Sequence, residues 1–359
     1  MFFQHSPLVT RCPPPATPRS LFSMRKFLPL ALLTFATATF AQDVHVKVDP
    51  KGGGSTTSTD NFATIQQALD HAPQAPHGRI YIHIAPAVYH ERINVTRLRP
   101  RVTLLGEGKR PEDVVITAAQ FAKQAGGTYF TETAQVNADD FQADNITFEN
   151  TAGPVGQAVA ATIRSDRAIF KHCRFLGDQD TLFADFGRQY YLDSYITGGV
   201  DFIFGNATAV FDHTEIHIMR PGFLTAQSRT APDQTTGYVI TNSRVTSSIA
   251  TPPPADPTKV VRTGFFLGRP WRPYSRVVFM NTELPADLDP AGWSAWTKND
   301  PTPLAFYAEF HNTGPGAAIT HRPSWSHQLT AKEAAAFAPA AFLRGDDHWD
   351  AVAEAAKLP

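Results

Sequence analysis

The chain has 359 residues, 42% of them hydrophobic, and its 32 basic residues nearly balance its 33 acidic ones. A hydrophobic share of this size supports a sizeable folded core, which excludes a disordered chain apart from its ends. No basic stripe is visible, so nucleic acid is disfavoured as a partner.

The first element along the chain is an export signal. Residues 24–41 read MRKFLPLALLTFATATFA, in which Arg25 and Lys26 precede a short apolar run. Thr39 and Ala41 then stand at the −3 and −1 positions of a signal-peptide cleavage site. A buried apolar strand or helix is the alternative interpretation, and the apolar run is too short to span a membrane.

We therefore predict a leader over residues 1–41, with Met24 as the translation start, and a single catalytic domain over residues 42–359. Without the four basic residues of the leader, 28 basic residues face 33 acidic ones, a net charge of −5. Of the two cysteines, Cys12 precedes the signal and Cys173 lies in the mature chain, which predicts no internal disulfide. The protein is expected to be secreted or periplasmic.

Helical periodicity is confined to the two ends of the mature chain. The segment Asn61–Pro73, NFATIQQALDHAP, has apolar residues at helical spacing and ends in proline. Near the other end, Thr330 and Glu333 form a capping box. An open solenoid exposes its core at both ends, so we expect these short helices to act as caps.

Between the helices a short word recurs: a large apolar residue, two variable ones, a small or short polar one, a variable one and an apolar one. Successive copies are 29, 21, 20, 29 and 39 residues apart. A base period near 20 indicates an all-β solenoid, a right-handed parallel β-helix, whereas a β-sandwich would not explain the repeat. The copies are Phe141–Ile146, Phe170–Phe175, Tyr191–Ile196, Phe211–Ile216, Ile240–Val245 and Phe279–Leu284.

In such a fold, residues one coil apart stack at the inter-strand spacing of ~4.8 Å. Asp180 and Asp201 are 21 residues apart, and Gln157 precedes Gln179 by 22, so all four are expected in one polar column. Stacked carboxylates raise the pKa of one member, which suits a site that needs one acid and one base or nucleophile. Two solvated aspartates in turns are the alternative.

Several words in fixed order then identify the chain as resembling the pectin methylesterases, which remove methyl groups from methyl-esterified galacturonan. The order and spacing of these words are specific to that family, and the resemblance covers roughly residues 45–345. It implies a right-handed parallel β-helix, in agreement with the repeat. The words are AVYHERI (Ala87–Ile93), GQAVA (Gly156–Ala160), GDQDTLF (Gly177–Phe183), DFIFG (Asp201–Gly205) and LGRPW (Leu267–Trp271).

The resemblance implies a role for each site residue. Asp201 is the nucleophile that attacks the ester carbonyl, and Asp180 is the general acid and base. Gln179 and Gln157 donate hydrogen bonds to the oxyanion, and Gln157 also contacts substrate. Arg269 pairs with Asp201, keeps it ionised and contributes to substrate binding.

Aromatic residues of the same words are expected to bind the sugar rings. Trp271 offers a flat face, and Phe183 and Phe204 resemble the groove lining of the family. Phe202 is the alternative to Phe204, and core packing is an alternative for each phenylalanine. Asp178 departs from the family, where this position is often aromatic.

No cofactor or metal is expected, since His213 and His217 lie in strand-like sequence where they do not share a helix face. The motif G-x-S-x-G is absent, which disfavours a serine esterase. The expected partner is methyl-esterified pectin, bound by a monomer with no membrane span. The alternatives are a pectin depolymerase, which also uses paired carboxylates, and a β-helix protein that only binds polysaccharide or has another specificity.

Overall fold

A computed structural model describes most of the mature chain, and these residues belong to one compact unit that runs from residue 41 to 359. The leader over residues 1–41, with Met24 and Cys12, lies outside the described residues. The described ranges are 42–51, 61–74, 76–249, 264–297 and 304–359.

The described residues are mostly short strands. They are β1 (Val44–Val48), β2 (Asn61–Phe62), β3 (Ile80–Ile84), β4 (Ala87–His90), β5 (Ile93–Val95), β6 (Val102–Gly106), β7 (Val114–Ala118), β8 (Ala134–Val136), β9 (Gln142–Asp144), β10 (Thr147–Asn150), β11 (Ala161–Arg164), β12 (Ala168–Lys171), β13 (Arg174–Leu176), β14 (Leu182–Phe186), β15 (Arg188–Leu192), β16 (Tyr195–Gly205), β17 (Thr208–Asp212), β18 (Glu215–Gln227), β19 (Gly237–Thr241), β20 (Arg244–Ser247), β21 (Phe266–Gly268), β22 (Arg276–Met280), β23 (Phe306–Phe310) and β24 (Ser326–Gln328).

The helices are few and short. The α-helices are α1 (Ile65–His71), α2 (Ala122–Ala125), α3 (Ala331–Ala334), α4 (Pro339–Phe342) and α5 (Ala351–Ala355). Single 3₁₀ turns occupy Pro111–Asp113, Thr128–Phe130, Pro315–Ala317 and Ala335–Phe337. None of the helices in the described ranges has the length and hydropathy of a membrane span.

The strands stack coil upon coil into two long parallel sheets. The first sheet, face A, has the order β2-β1-β3-β6-β9-β12-β15-β17-β19-β22-β23-β24. In the second sheet, the long strand β16 pairs with β13 through its first half and with β14 through its second half. This sheet therefore bends into face B, which contains β13, and face C, which contains β14. The result is a parallel β-helix with three faces, which confirms the predicted fold class.

The repeated word marks the turn from face A to face B, and five of its six copies are in register. Phe170 pairs with Tyr191, Tyr191 with Phe211, Phe211 with Ile240, and Ile240 with Phe279. The first copy was placed wrongly by two residues, because Phe170 pairs with Ala143 rather than with Phe141. The small Ala143 fills the position where the word has a large apolar residue, and this hid the true register.

The third position of the five words in register adopts a left-handed backbone, and so do Asn145 and His311 at the equivalent place in two other coils. Asparagine, aspartate and histidine tolerate this conformation better than most side chains, since their short polar groups bond locally. Asn145, for example, donates from Nδ2 to the carbonyls of Gly106 and Gly108, at 3.0 and 2.7 Å. The column with positive φ comprises Asn145, His172, Asp193, His213, Asn242, Asn281 and His311.

The interior contains a column of aromatic rings one coil apart. The ring centroids of Phe170 and Tyr191 are 5.0 Å apart, and those of Tyr191 and Phe211 are 4.6 Å apart, with nearly parallel planes. All three side chains are fully buried. The free Cys173 is buried in the same core.

The predicted N-terminal helix forms as α1. Its N-cap Thr64 accepts a hydrogen bond from the Gln67 amide at 3.2 Å. Glu91, from the first family word, accepts from the amides of Ile65 and Gln66 at 2.9 and 3.0 Å. The buried face of α1 packs into the core of the first coils. The word AVYHERI therefore has a structural role in holding this helix.

The C-terminal helices lie along the side of the solenoid, whereas an end cap would cover its open end. The predicted capping box of Thr330 and Glu333 forms at the start of α3. The chain then runs back along the outer side of face A, where α5 and its neighbours cover apolar side chains of β12 to β23. Lys171 Nζ holds the terminus by donating to the carbonyls of Leu358 and Pro359 at 2.9 and 2.6 Å. Face A is therefore covered on its outer side.

We predict that Phe170→Ala lowers the free energy of unfolding by about 3–5 kcal/mol, because it leaves a cavity in the aromatic column. The matched control is Phe186→Ala, since Phe186 is 61% exposed; it should change stability by less than about 0.5 kcal/mol. Urea denaturation of the three proteins measures the difference. Equal losses for the two variants would contradict the role of the column.

Candidate active site

The predicted polar column forms at the turn from face B to face C. Gln157 pairs with Gln179, and Gln179 pairs with Val200, in successive parallel bridges. Asp180 and Asp201 follow in the same register on neighbouring coils, and the Asp180 amide donates to the Val200 carbonyl at 3.1 Å. The structure thus brings together the residues that the 21- and 22-residue spacings placed together.

Both aspartates adopt a left-handed backbone, with φ of 64° at Asp180 and 51° at Asp201. Non-glycine residues in this region carry a conformational cost, and such residues cluster at functional sites. The tight turn before Asp201 also depends on Gly198, where a Cβ atom would lie 2.3 Å from the Cβ of Phe202. The strained turns direct the two carboxyl groups into the same cleft.

Arg269 binds Asp201 through two parallel hydrogen bonds. Its Nε donates to Oδ1 at 2.9 Å and its Nη2 donates to Oδ2 at 2.6 Å. The guanidinium lies 4.0 Å from the ring centroid of Phe223 and 4.2 Å from that of Trp296. These cation–π contacts and the bidentate pairing fix the orientation of the guanidinium and of the carboxylate.

The two carboxyl groups have unequal environments. Burial raises the pKa of Asp180 to about 8, the charge of Asp201 adds to the rise, and Arg269 opposes it. Burial also raises the pKa of Asp201, but there the hydrogen bonds and the charge of Arg269 oppose the rise. Within the described ranges no side chain donates a hydrogen bond to the Asp180 carboxyl. The shared proton therefore belongs on Asp180, and Asp201 is the carboxylate.

A cleft of 290 Å³ surrounds these groups on face C. Of the predicted binding residues, Trp271 and Phe204 line it, together with Gln157 and Arg269. A polar centre flanked by aromatic rings is suited to a sugar chain, because each ring offers an apolar face to a pyranose while the polar groups reach the reacting bond.

The phenylalanines divide between cleft and interior. Phe202 is fully buried in the main core, so Phe204 is the residue at the cleft. Phe183 is not among the residues that line the cleft, and its ring stacks on Phe204 at 4.5 Å and on Tyr129 at 5.1 Å. It therefore supports two rings of the cleft wall from behind.

Sequence reasoning missed three aromatic residues of the site. Tyr129 and Trp296 line the cleft, and Phe223 lies against Arg269. Trp296 has only a weak signal in the sequence. It follows Trp293 by three residues in GWSAW, and the two tryptophans are not both expected in the core. Tyr129 lies in the short 3₁₀ turn Thr128–Phe130 after α2, and no motif points to it.

Asp178, the departure from the family, lies outside the cleft. It is buried and forms an ion pair with Arg220, whose Nε donates to Oδ1 and Oδ2 at 3.1 and 3.2 Å. The guanidinium lies over Gly199, where a Cβ atom would come within 2.6 Å of Nε. The carboxylate therefore supports the turn that carries Asp201.

In the part of the chain that the structure describes, no three histidine, cysteine, aspartate or glutamate side chains are arranged to hold a metal ion. His213 lies beside Asp212 with Nδ1 2.9 Å from a carboxylate oxygen. His217 bonds to Thr246 and Ser248, at 2.8 and 2.7 Å. The two histidines thus have separate partners.

Comparisons with known proteins place this parallel β-helix, with its stacked aspartates and its arginine clamp on one face, in one family. The family model described as Pectinesterase matches residues 54–346. The chain is 41% identical to a probable pectinesterase/pectinesterase inhibitor 17 of Arabidopsis thaliana over 293 residues, which are 79% of this chain and 55% of that protein. The chain belongs to the pectinesterase family.

Two solved structures extend the similarity to the fold. Pectin methylesterase from carrot superposes with a TM-score of 0.77 at 33% identity, covering 88% of this chain and 97% of that chain. A pectin methylesterase mutant in complex with a hexasaccharide has a TM-score of 0.68 at 27% identity, covering 89% and 100%. The chain spans about half the length of the curated plant relatives that it matches.

We predict that Asp180→Asn makes the protein more stable relative to wild type as the pH rises. The pKa of Asp180 is about 8 in the folded protein against an ordinary value of 3.8. Between these values the folded state binds more protons than the unfolded chain, so wild-type stability falls with rising pH. Asparagine tolerates the left-handed backbone and lacks this titration.

The difference in the free energy of unfolding between variant and wild type should grow by more than about 1.4 kcal/mol from about pH 4 to about pH 8, the equivalent of one pKa unit. Urea denaturation at several pH values measures it. The control Asp233→Asn, at an exposed position, should follow the wild type. Parallel curves for all three proteins would show that Asp180 has no raised pKa.

Proposed function

We propose that the chain hydrolyses the C6 methyl esters of methyl-esterified homogalacturonan, giving pectate and methanol. The observation that carries this proposal is the pair of carboxyl groups with unequal pKa, one clamped by Arg269 and both beside two glutamine amides. Family membership supports it, and so does a structural neighbour that was solved in complex with a hexasaccharide, since this chain has a cleft lined by aromatic rings around the two carboxyl groups.

In the first half of the reaction, the Asp201 carboxylate attacks the ester carbonyl carbon and a tetrahedral intermediate forms. The amide groups of Gln157 and Gln179, stacked on consecutive coils, donate hydrogen bonds to its oxyanion. When the bond to the methoxy group breaks, Asp180 gives its proton to the leaving oxygen. The products are methanol and an anhydride between Asp201 and the galacturonate.

In the second half, the ionised Asp180 takes a proton from water, which attacks the anhydride and releases the free galacturonate carboxyl group. This step restores the carboxylate of Asp201 and the proton of Asp180. Arg269 has two roles: it keeps Asp201 ionised in spite of burial, and it holds the attacking oxygen in place. Trp271 and Phe204 would hold the sugar rings of the polymer.

The proposal includes export of the protein through the leader over residues 1–41, from a start at Met24, and action as a monomeric single domain from residue 42 onwards. The signal-peptide pattern supports export. A polysaccharide substrate too large to enter a cell agrees with an exported enzyme, whether it is released or stays periplasmic and acts on shorter chains.

We predict that the protein releases methanol from highly methylated pectin without shortening the polymer, and that Asp201→Asn abolishes the release. Asparagine has nearly the same shape as aspartate but is far less nucleophilic, so the fold should persist. Methanol and polymer length are measured in the same reaction, with circular dichroism as the folding control.

The outcomes separate the rival functions. Shortening without methanol would indicate a depolymerase, and tight binding with neither product would indicate a binding protein. If Asp201→Asn retained a tenth of the wild-type rate, Asp201 would not be the nucleophile.

A further prediction concerns Arg269 and the pH profile of methanol release. Activity needs Asp201 ionised and Asp180 protonated, which gives a bell-shaped profile whose limbs belong to the coupled pair. Arg269 lowers the pKa of Asp201, so Arg269→Ala should move the acidic limb to higher pH and reduce turnover strongly. Arg269→Lys keeps the positive charge but loses the planar guanidinium with its paired donors, so the acidic limb of its pH profile should move less. If the acidic limb of the pH profile did not move in Arg269→Ala, the pairing of Arg269 with Asp201 would be contradicted.

A further inference from the structure

The ion pair of Asp178 and Arg220 lies behind the active site, on the side of face B. Arg220 donates to the Asp178 carboxylate from Nε, at 3.1 and 3.2 Å, and also from Nη2. The carboxylate is buried, and the arginine side chain is partly exposed. Both residues line an open groove of 750 Å³ on the outer side of face B, and neither lines the cleft that holds the two catalytic carboxyl groups.

This ion pair connects the two turns that carry the catalytic carboxyl groups. Asp178 lies two residues before Asp180, and its carbonyl accepts a hydrogen bond from the Gly199 amide at 2.8 Å. Gly199 in turn lies two residues before Asp201. The Arg220 guanidinium rests on Gly199 so closely that a Cβ atom there would lie 2.6 Å from Nε. A single ion pair therefore holds both turns from behind.

Arg220 also extends this connection to the arginine clamp. It lies in β18, three residues before Phe223, which pairs with Val200 of β16. The ring centroid of Phe223 is 4.0 Å from the guanidinium carbon of Arg269. The ion pair thus joins three successive coils, which carry the proposed acid, the proposed nucleophile and the ring that packs on the clamp.

The two turns need this support for two physical reasons. Asp180 and Asp201 have left-handed backbones, and such conformations persist only where the surrounding structure over-determines them. Asp180 also depends on its burial, which is the main cause that raises its pKa to about 8. The groove of face B is lined by Gly177 and Asp178, which lead into the Asp180 turn, so loss of the ion pair would bring water towards this turn from behind.

We propose that Asp178 and Arg220 are positioning residues for the reaction: their ion pair sets the placement of Asp180 relative to Asp201 and keeps water from the back of the Asp180 turn. This inference rests on the proposed function and adds two residues that lie outside the substrate cleft. The pair acts through geometry and burial, because the charges that shift the pKa of Asp180 are those of Asp201 and Arg269.

Arg220→Gln tests the proposal, with Arg244→Gln as the matched control, since Arg244 pairs with Glu215 at an exposed position of the same face. We expect Arg220→Gln to lower kcat for methanol release on the order of ten- to a hundredfold, because a displacement of about 1 Å suffices for such a loss. KM should stay within about twofold of wild type. Arg220→Lys keeps the charge and loses the planar fork, so its kcat should be intermediate. The control should match wild type.

The pH profile distinguishes positioning from a simple loss of charge. Contact with water would lower the pKa of Asp180, so the basic limb of methanol release should move to lower pH in both Arg220→Gln and Asp178→Asn. Direct charge effects would have opposite signs, because removal of a cation raises the pKa of a carboxyl group and removal of an anion lowers it. Both variants leave unchanged the titratable groups that face Asp180 in the described chain, which are Asp201, Arg269 and Tyr129.

A measurement without turnover separates this inference from the proposed function. Carbon-13 NMR follows the titration of the Asp180 carboxyl group, with Asp180→Asn to assign its resonance. Its pKa should be lower in Arg220→Gln and in Asp178→Asn than in wild type, and this result decides the inference also if the wild type releases no methanol.

The remaining outcomes are set against the folded fraction of each variant, measured by circular dichroism. An unchanged kcat per folded protein, pKa shifts of opposite sign in the two variants, or an equal loss of kcat in Arg244→Gln would overturn the proposal. If Arg220→Gln does not fold, Arg220→Lys decides, since it must then show the same fall of kcat and of the Asp180 pKa in smaller measure.

Discussion

The register between neighbouring coils is the constraint on which the rest of the structure depends. Parallel pairing and the stacked rings of Phe170, Tyr191 and Phe211 fix which residues lie above one another. A slip of one residue would reverse every side chain between core and surface, so the buried aromatic column makes the register unique. Asp180 and Asp201 meet only because this register is held, and the column of left-handed turns closes each coil.

Stacking alone would give two equivalent carboxyl groups, and the proposed chemistry requires two different ones. Arg269 makes the difference, since it binds one carboxylate and leaves the other buried, with no cation paired to it among the described residues. The position of Arg269 depends in turn on Trp296, which belongs to the same segment as Trp293. The indole of Trp293 donates to Glu309 at 3.1 Å, and Glu309 is paired with Arg322 at 2.7 Å in the interior. A buried ion pair thus anchors the segment that covers the clamp.

The C-terminal helices cover one of the three faces of the solenoid. The C-terminal helices cover the outer side of face A, held by Lys171 and by the pairing of Arg188 with Asp347. Face C keeps its outer side open, and the cleft lies there. The sequence words shared with the family have two kinds of role. AVYHERI holds α1 through Glu91, whereas the words that contain Gln157, Asp180 and Arg269 form the candidate site.

The sequence by itself determined the solenoid, its coil length and the polar column, because a parallel stack converts a spacing of 21 residues into neighbouring positions for Asp180 and Asp201 on successive coils. The choice between Phe202 and Phe204 came from the tertiary structure. The pairing of β16 with β18 shifts register between Val200 and Ile203, so simple alternation does not apply there.

The long-range partners were also decided only by the folded chain. Tyr129 and Trp296 reach the cleft, and Phe223 reaches Arg269, from segments far apart in sequence, and no local pattern distinguishes a ring that packs against Arg269 from one in the core. The same holds for the C-terminal helices. Their capping box was visible at Thr330, but where they pack depends on which face of the solenoid presents apolar side chains outward, and that surface exists only after the coils have stacked.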